Sequence, residues 1–206
     1  EGETVPRLAA PFESRRIHVA GLVVAYYSHD FSHYLAASGL SDWLKENGIP
    51  AVYGIDTRAL TKRIRTKGSM LGRLLALQPH APMDENNWRQ RMIDVPWHDP
   101  NGENLVARVS RKTPMLFTPQ DTQPAGLREA NEPTLMHASG RPIRIMALDL
   151  GMKRNQIRCF TSRGVELKVV PFDHDILSET EPYDGLFLSN GPGDPTHCMS
   201  TVERVR

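Results

Sequence analysis

One segment of this chain has a path that its residues nearly dictate: Leu186-Phe187-Leu188-Ser189-Asn190-Gly191-Pro192-Gly193-Asp194-Pro195. A short apolar run, suited to a buried strand, stops in two glycines and two prolines. Glycine permits positive φ and close approach of another backbone, while proline removes an amide donor and fixes its own φ. The result is a tight turn, poor in side chains, that exposes peptide N–H groups. Such donors can polarise a carbonyl or hold a developing oxyanion; the same turn can equally be a strand-to-helix connection that binds nothing. On local chemistry alone, the plain connection carries more weight.

The residues before this turn set it in a parallel sheet. Residues 143–150 are an apolar strand, Gly151-Met152-Lys153 a turn, residues 155–162 a helix ended by Gly164, and residues 165–170 the next strand. After a turn around Asp173-His174-Asp175, residues 185–188 form a third. Strands alternating with crossover segments predict a parallel α/β sheet, in which ligands gather beyond the strands' carboxyl ends. That is where residues 190–193 fall. Asp149, at the end of the first strand, can cap the following helix or orient the neighbourhood of a site; capping is the preferred role. Cys159 is expected on the helix's apolar side, as a small core residue.

The amino-terminal half reads as a separate mixed α/β unit. Residues 17–25 are apolar and β-branched, as in a buried strand. Residues 38–47 place Leu40, Trp43 and Leu44 at helical spacing, with Gly48 as the C′ residue and Pro50 preventing continuation. Trp43 is expected to be a core anchor. Residues 52–55 suit a short strand, and Asp56 or Thr57 can cap a second helix carrying Leu60 and Ile64 on one face and ending at Gly68. Residues 78–99 predict an excursion with one short helix, and residues 104–109 a returning strand. Prolines 114, 119, 124 and 133 interrupt residues 113–142, which are expected to be a linker.

The 206 residues include 39% apolar side chains, enough for a packed core, and 25 basic residues nearly balance 24 acidic ones. No overall field favours nucleic acid or an anionic membrane. The cluster Lys62, Arg63, Arg65 and Lys67 is expected to be the solvated face of a helix. No run approaches the roughly 20 apolar residues of a membrane span. Two cysteines supply neither a disulfide framework nor a zinc site. Ser28-His29-Asp30 has the residue types of a hydrolase triad, but adjacent residues do not converge as a triad must, and Asp173-His174-Asp175 is an exposed turn rather than a metal site on the same reasoning.

Four separated blocks go further. They are Phe12-Glu13-Ser14 continuing through Ile17 to Leu22; Gly54-Ile55-Asp56-Thr57-Arg58-Ala59-Leu60-Thr61 with Lys67-Gly68-Ser69-Met70-Leu71-Gly72; Asp99-Pro100-Asn101 with Asn104-Leu105-Val106; and Leu188 to Pro195. In content, order and spacing the chain resembles the small, glutamine-hydrolysing chain of carbamoyl-phosphate synthetase, in the form fused into multifunctional pyrimidine-biosynthesis proteins. The last block alone is shared by many class I amidotransferases, such as anthranilate or guanylate synthase components. The block from Gly54 to Thr61 resembles this one family specifically.

The resemblance implies an α/β protein: a mixed α/β small-chain domain over residues 1–112, incomplete at its start, a linker over 113–142, and the first part of a flavodoxin-like glutaminase domain with a parallel sheet over 143–206. It implies glutamine hydrolysis through a cysteine thioester, the ammonia feeding carbamoyl phosphate formation from bicarbonate with ATP and magnesium on a large synthetase component or fused domain. Pyrimidine synthesis is expected rather than arginine synthesis, with a fused aspartate transcarbamoylase as a further partner. Gly191 matches the family's oxyanion-hole glycine, and Gly193 one whose backbone contacts bound glutamine. The family's nucleophile sits further downstream, in a Gly-x-Cys-x-Gly turn, with histidine and glutamate partners later still. Cys198 lacks those flanking glycines. A serine of the family's amino-terminal segment that contacts glutamine also has no counterpart. The expectation is therefore an internal portion without its nucleophile or base, cytoplasmic, inactive alone, with no cofactor or metal of its own. The alternatives are a non-catalytic docking module of a synthetase and another class I amidotransferase component.

Overall fold

The structure is a computed structural model that describes residues 12–14, 16–34, 36–75, 84–121 and 134–206. It divides into two compact units, Arg16–Asp99, and Pro100–Arg206 together with the amino-terminal residues.

In the first unit, β1 (Leu22–Val23) pairs in parallel with β2 (Ala51–Val52). The strands expected over residues 17–25 and 52–55 thus contract to two residues each. Between them lies α1 (Leu40–Glu46). It ends as its sequence requires: Gly48 takes φ 66°, its N–H donates to Lys45 O, and Ile49 N–H reaches back to Leu44 O at 2.9 Å. Leu44, at 5% exposure, is the buried anchor of this helix. Trp43 is 37% exposed, correcting the expectation that it anchors the core. In α2 (Thr57–Lys67) the Asp56 carboxylate accepts the Ala59 N–H at 2.8 Å, and Gly68 closes the helix at φ 81°. Lys62, Arg63, Arg65 and Lys67 are all exposed along it. The excursion contains α3 (Glu85–Asp94), and its stretch over residues 78–83 lies outside the described residues.

The second unit is built on a four-stranded sheet. Its strands are β3 (Met115–Phe117), β4 (Arg144–Asp149), β5 (Glu166–Pro171) and β6 (Gly185–Leu188), in spatial order β3-β5-β4-β6. β5 and β6 flank β4 in parallel, and β3 runs antiparallel to β5. Met146, Ala147 and Leu148 of β4 are buried, as a strand covered on both faces demands. One face packs Phe117, Ala147, Ile157, Leu167 and Val169; the other packs Met146, Leu148, Val170 and Ile176.

Three expectations are corrected here. Residues 104–109 are a helix, α4 (Leu105–Val109), because the Asn104 side chain accepts the Ala107 N–H at 2.9 Å and caps it. Residues 113–142 are not an unstructured linker throughout: β3 lies within them, with Phe117 only 2% exposed in the sheet's core. Residues 122–133, with Pro124 and Pro133, lie outside the described residues. Third, Cys159 is exposed. On α5 (Arg154–Thr161), the buried residues are Ile157, Arg158 and Thr161. At about 100° per residue, Cys159 falls roughly opposite Ile157 and Thr161.

Candidate functional site

Because β4 and β6 are parallel neighbours, the turns that follow them lie side by side at the carboxyl end of the sheet. Their backbones are in contact. A Cβ placed on Gly191 would stand 1.9 Å from Leu150 O, so no other residue fits without moving the turn. Gly151, at φ 128°, closes on the same point from the β4 side, where a Cβ would meet Pro192 Cδ at 2.8 Å and Gly191 Cα at 3.1 Å. Gly193 adopts φ 80°, and the nearest atoms to a Cβ there belong to Leu105, at 3.4 Å. Glycine is thus required at Gly191 by close approach and at Gly193 by conformation.

Two buried polar side chains hold these turns. Asp149, 5% exposed, accepts N–H groups from Gly151 (3.0 Å) and Met152 (2.7 Å) on one carboxylate oxygen and from Arg111 (2.9 Å) on the other. It therefore orients the turn and the strand of chain after α4; it does not cap α5. Ser189 Oγ accepts the Leu150 N–H at 3.0 Å and donates to Asn190 O, tying the end of β6 to the end of β4. Gln156, in the first turn of α5, donates from Nε2 to Asn190 Oδ1 at 3.1 Å. Beyond the turn, Asp194 Oδ1 accepts the Thr196 N–H at 2.8 Å and starts the 3₁₀ turn Pro195–Cys198, which leads into α6 (Met199–Val205). Hydrogen bonds to the Thr196 backbone and side chain hold the Asp194 carboxyl below its ordinary pKa.

Gly191 and Gly193 are exposed, and among the described residues neither N–H donates to a protein acceptor. Two free donors on a turn fixed by its neighbours are what oxyanion or amide recognition requires. Cys198 lies seven residues on, half-buried, with burial pushing its thiol up. That setting keeps the sulfur protonated, the opposite of an activated nucleophile. Elsewhere, His174 is half-buried and pairs with Glu179 Oε1 at 2.7 Å, while Asp175 accepts the Leu177 N–H. Asp173-His174-Asp175 is thus a local turn, more sheltered at its histidine than expected. Ser28, His29 and Asp30 are exposed. No helix among the described residues is long and apolar enough to cross a membrane.

Sequence reasoning singled out Gly191, Gly193 and Asp149 but missed Ser189, Gln156 and Arg111. For Asp149 the signal was the glycine two residues later, which suits an Asx-type turn rather than a helix cap. Ser189 and Gln156 act between the ends of neighbouring strands, where no local pattern reports them.

Comparison with known proteins matches the two parts of the chain to two families. Residues 7–74 match the family described as carbamoyl-phosphate synthase small chain, CPSase domain, and residues 146–206 match glutamine amidotransferase class-I. The multifunctional protein ura1 of Schizosaccharomyces pombe is 50% identical over 202 residues, covering 95% of this chain and 8% of that protein. The multifunctional protein URA2 of Saccharomyces cerevisiae is 51% identical over 207 residues, 98% of this chain and 9% of that protein. The carbamoyl phosphate synthase arginine-specific small chain of S. cerevisiae is 37% identical over 195 residues, 95% of this chain and 40% of its own length. The chain thus spans about a tenth of the multifunctional relatives and under half of the small chain. The match over residues 7–74 names the carbamoyl-phosphate synthase small chain, which the amidotransferase match alone does not. The chain belongs to the carbamoyl-phosphate synthase family, in the small-chain region that carries the glutamine amidotransferase.

Proposed function

We propose that this chain is part of the glutaminase of a glutamine-dependent carbamoyl-phosphate synthetase, and that the turn at Gly191 is half of its chemistry. A cysteine thiolate attacks the side-chain carbonyl of glutamine, the carbonyl oxygen becomes an oxyanion, and as the oxyanion collapses to the thioester the C–N bond breaks and ammonia leaves with a proton from the protonated histidine partner. The Gly191 N–H donates to that oxyanion, and the Gly193 backbone contacts bound glutamine. The observation that carries this reading is the fixed Gly191 turn, pressed against Leu150 O with its N–H free of protein acceptors.

Cys198 is not the nucleophile in this reading, because it is half-buried, its thiol is pushed up, and no histidine nitrogen bonds its sulfur among the described residues. The nucleophile and its histidine and glutamate partners come from chain other than these 206 residues, so this chain alone does not hydrolyse glutamine. The amino-terminal small-chain domain extends to about Asp99 rather than to residue 112, since α4 and β3 belong to the sheet-bearing unit. Ammonia passes to a synthetase component, separate or fused, where ATP, magnesium and bicarbonate act. The higher identity to multifunctional proteins than to the arginine-specific small chain supports the pyrimidine branch; a fused aspartate transcarbamoylase and a cytoplasmic setting belong to the same proposal.

The test is a Gly191→Pro variant of the full-length protein, assayed for carbamoyl phosphate formation from glutamine and from free ammonia. Loss of one oxyanion donor costs on the order of 10²–10³ in turnover, so glutamine-driven synthesis should fall by that much while ammonia-driven synthesis persists. Undiminished glutamine-driven turnover removes Gly191 from the mechanism, and equal loss of both activities assigns it a structural role.

A further inference from the structure

Helix α5 is preceded by Lys153 at its N-cap, whose side chain has donors only and offers no acceptor to the first N–H groups of the helix. Glu13 supplies what is missing. Its carbonyl accepts the Arg154 N–H at 3.1 Å, and its Oε2 accepts the Asn155 N–H at 2.9 Å, placing a carboxylate at the positive end of the helix. The other carboxylate oxygen, Oε1, accepts from Arg158 Nη2 at 3.1 Å, and Arg158 Nη1 donates to Phe12 O at 3.3 Å. The Arg158 side chain is only 9% exposed, so its charge depends on this partner.

The same first turn reaches the glutamine turn. Gln156 Oε1 accepts the Lys153 N–H at 3.0 Å, which fixes the amide so that its NH₂ faces Asn190 Oδ1. Asn190 precedes Gly191, whose backbone already has no slack towards Leu150. The turn is therefore held from two sides, by Leu150 and by Gln156, and Gln156 is held by a helix start that Glu13 completes.

Resting on the reading that the Gly191 turn serves glutamine, we propose that Glu13 and Gln156 are positioning residues for that turn, acting through Asn190 rather than on the substrate. Positioning of the Gly191 N–H then depends on residues 12–14, which the chain lays down just before the other compact unit begins at Arg16.

The experiment uses the full-length protein with Gln156→Leu, Glu13→Ala, Glu13→Gln, the double variant Glu13→Ala/Gln156→Leu, and Gly191→Pro as reference. The readout is glutamine-driven relative to ammonia-driven carbamoyl phosphate synthesis, with kcat and KM for glutamine resolved separately. Removing one positioning hydrogen bond should lower glutamine-driven kcat by roughly five- to tenfold in Gln156→Leu. KM should move less, because an oxyanion donor acts mainly in the transition state. Glu13→Ala should act in the same direction and Glu13→Gln should recover most of the loss, since an amide oxygen still accepts the Asn155 N–H. The double variant should lose no more than about the larger single loss, because both cut one path. Unchanged kcat in Gln156→Leu while Gly191→Pro is crippled overturns this inference alone. Multiplying losses in the double variant, or equal loss of ammonia-driven synthesis, also overturn it. An inert Gly191→Pro defeats the underlying reading and this inference with it. Should Glu13→Ala fail to fold, the kcat of Gln156→Leu still decides.

Discussion

Replacing Phe117 by alanine tests whether β3 is a structural strand of the four-stranded sheet or a passing stretch of linker. Phe117 is 2% exposed and packs with Ala147, Ile157, Leu167 and Val169, and the Arg111 guanidinium lies 5.6 Å from its ring. A buried phenylalanine hides about 150–250 Å². At about 25 cal/mol per Å² of apolar surface, that corresponds to about 4–6 kcal/mol, an upper estimate because the unfolded chain is itself partly collapsed. Truncation to alanine in cores costs about 3–5 kcal/mol. The lower end applies, because β3 is paired on one side only and can settle inwards. The assay is amide hydrogen exchange of β5, whose Leu167 sits opposite Phe117 and whose Val169 sits opposite Met115. A loss of about 3 kcal/mol raises the opening constant on the order of 10²-fold, at 1.36 kcal/mol per tenfold. Leu116→Ala is the control, since Leu116 is largely on the outer face, and should change exchange by less than about tenfold. Protection of β5 that is indifferent to Phe117→Ala would refute the argument and restore residues 113–121 to the linker.

Gly191→Ala should be far worse for glutamine-driven synthesis than Gly193→Ala: the first must absorb the difference between 1.9 Å and an ordinary 3.4 Å contact with Leu150 O, whereas the second meets Leu105 at 3.4 Å and suffers mainly from φ 80°. A displacement of about 1 Å costs about 10²-fold in rate, so steady-state turnover on glutamine showing the reverse order would contradict the assigned geometry. The Asp184 carboxyl is held down at about 2, first by the bidentate Arg141 hydrogen bonds and then by the Arg144 N–H. Its contribution is present above the ordinary value of 3.8 and is lost as pH falls from there towards 2. The melting temperature of Asp184→Asn should therefore fall less steeply over that interval than that of the unaltered protein; parallel profiles would discount the pair. Finally, iodoacetamide should alkylate exposed Cys159 before half-buried Cys198, whose raised pKa slows it further, and mass spectrometry of a time course would reveal the opposite order if the placement were wrong.

Much of the sheet was legible because its strands and helix follow one another locally. The spans of β4, α5, β5 and β6 fall within about a residue or two of the hydrophobic pattern, and Gly164 ends its helix as expected, at φ 77°. What misled was the short apolar run. Leu105-Val106-Ala107-Arg108-Val109 has β-branched residues and no clear period, so composition pointed to a strand. The Asn104 cap, a single side-chain hydrogen bond to Ala107 N–H, decides for a helix. Met115-Leu116-Phe117 was overlooked for the complementary reason: prolines at 114 and 119 outweighed three apolar residues. Proline is tolerated beside an edge strand, and β3 is such an edge.

The candidate site divides along the same line between what is local and what is not. Gly191 and Gly193 announce themselves because a backbone that must turn tightly against another backbone leaves only glycine, and that constraint is written at the position itself. Nothing at Ser189, Gln156 or Glu13 announces a role. Their hydrogen bonds bridge 39, 34 and 142 residues of sequence, to Leu150, Asn190 and Asn155 respectively. Each does the same physical work, removing a degree of freedom from a turn or a helix start; in the proposed reaction the donors of that turn are thereby aimed before substrate arrives. Preorganised donors cost no reorganisation during the reaction. The residues that secure that preorganisation need only polarity and reach, so their positions become visible once the strands have brought the two turns together.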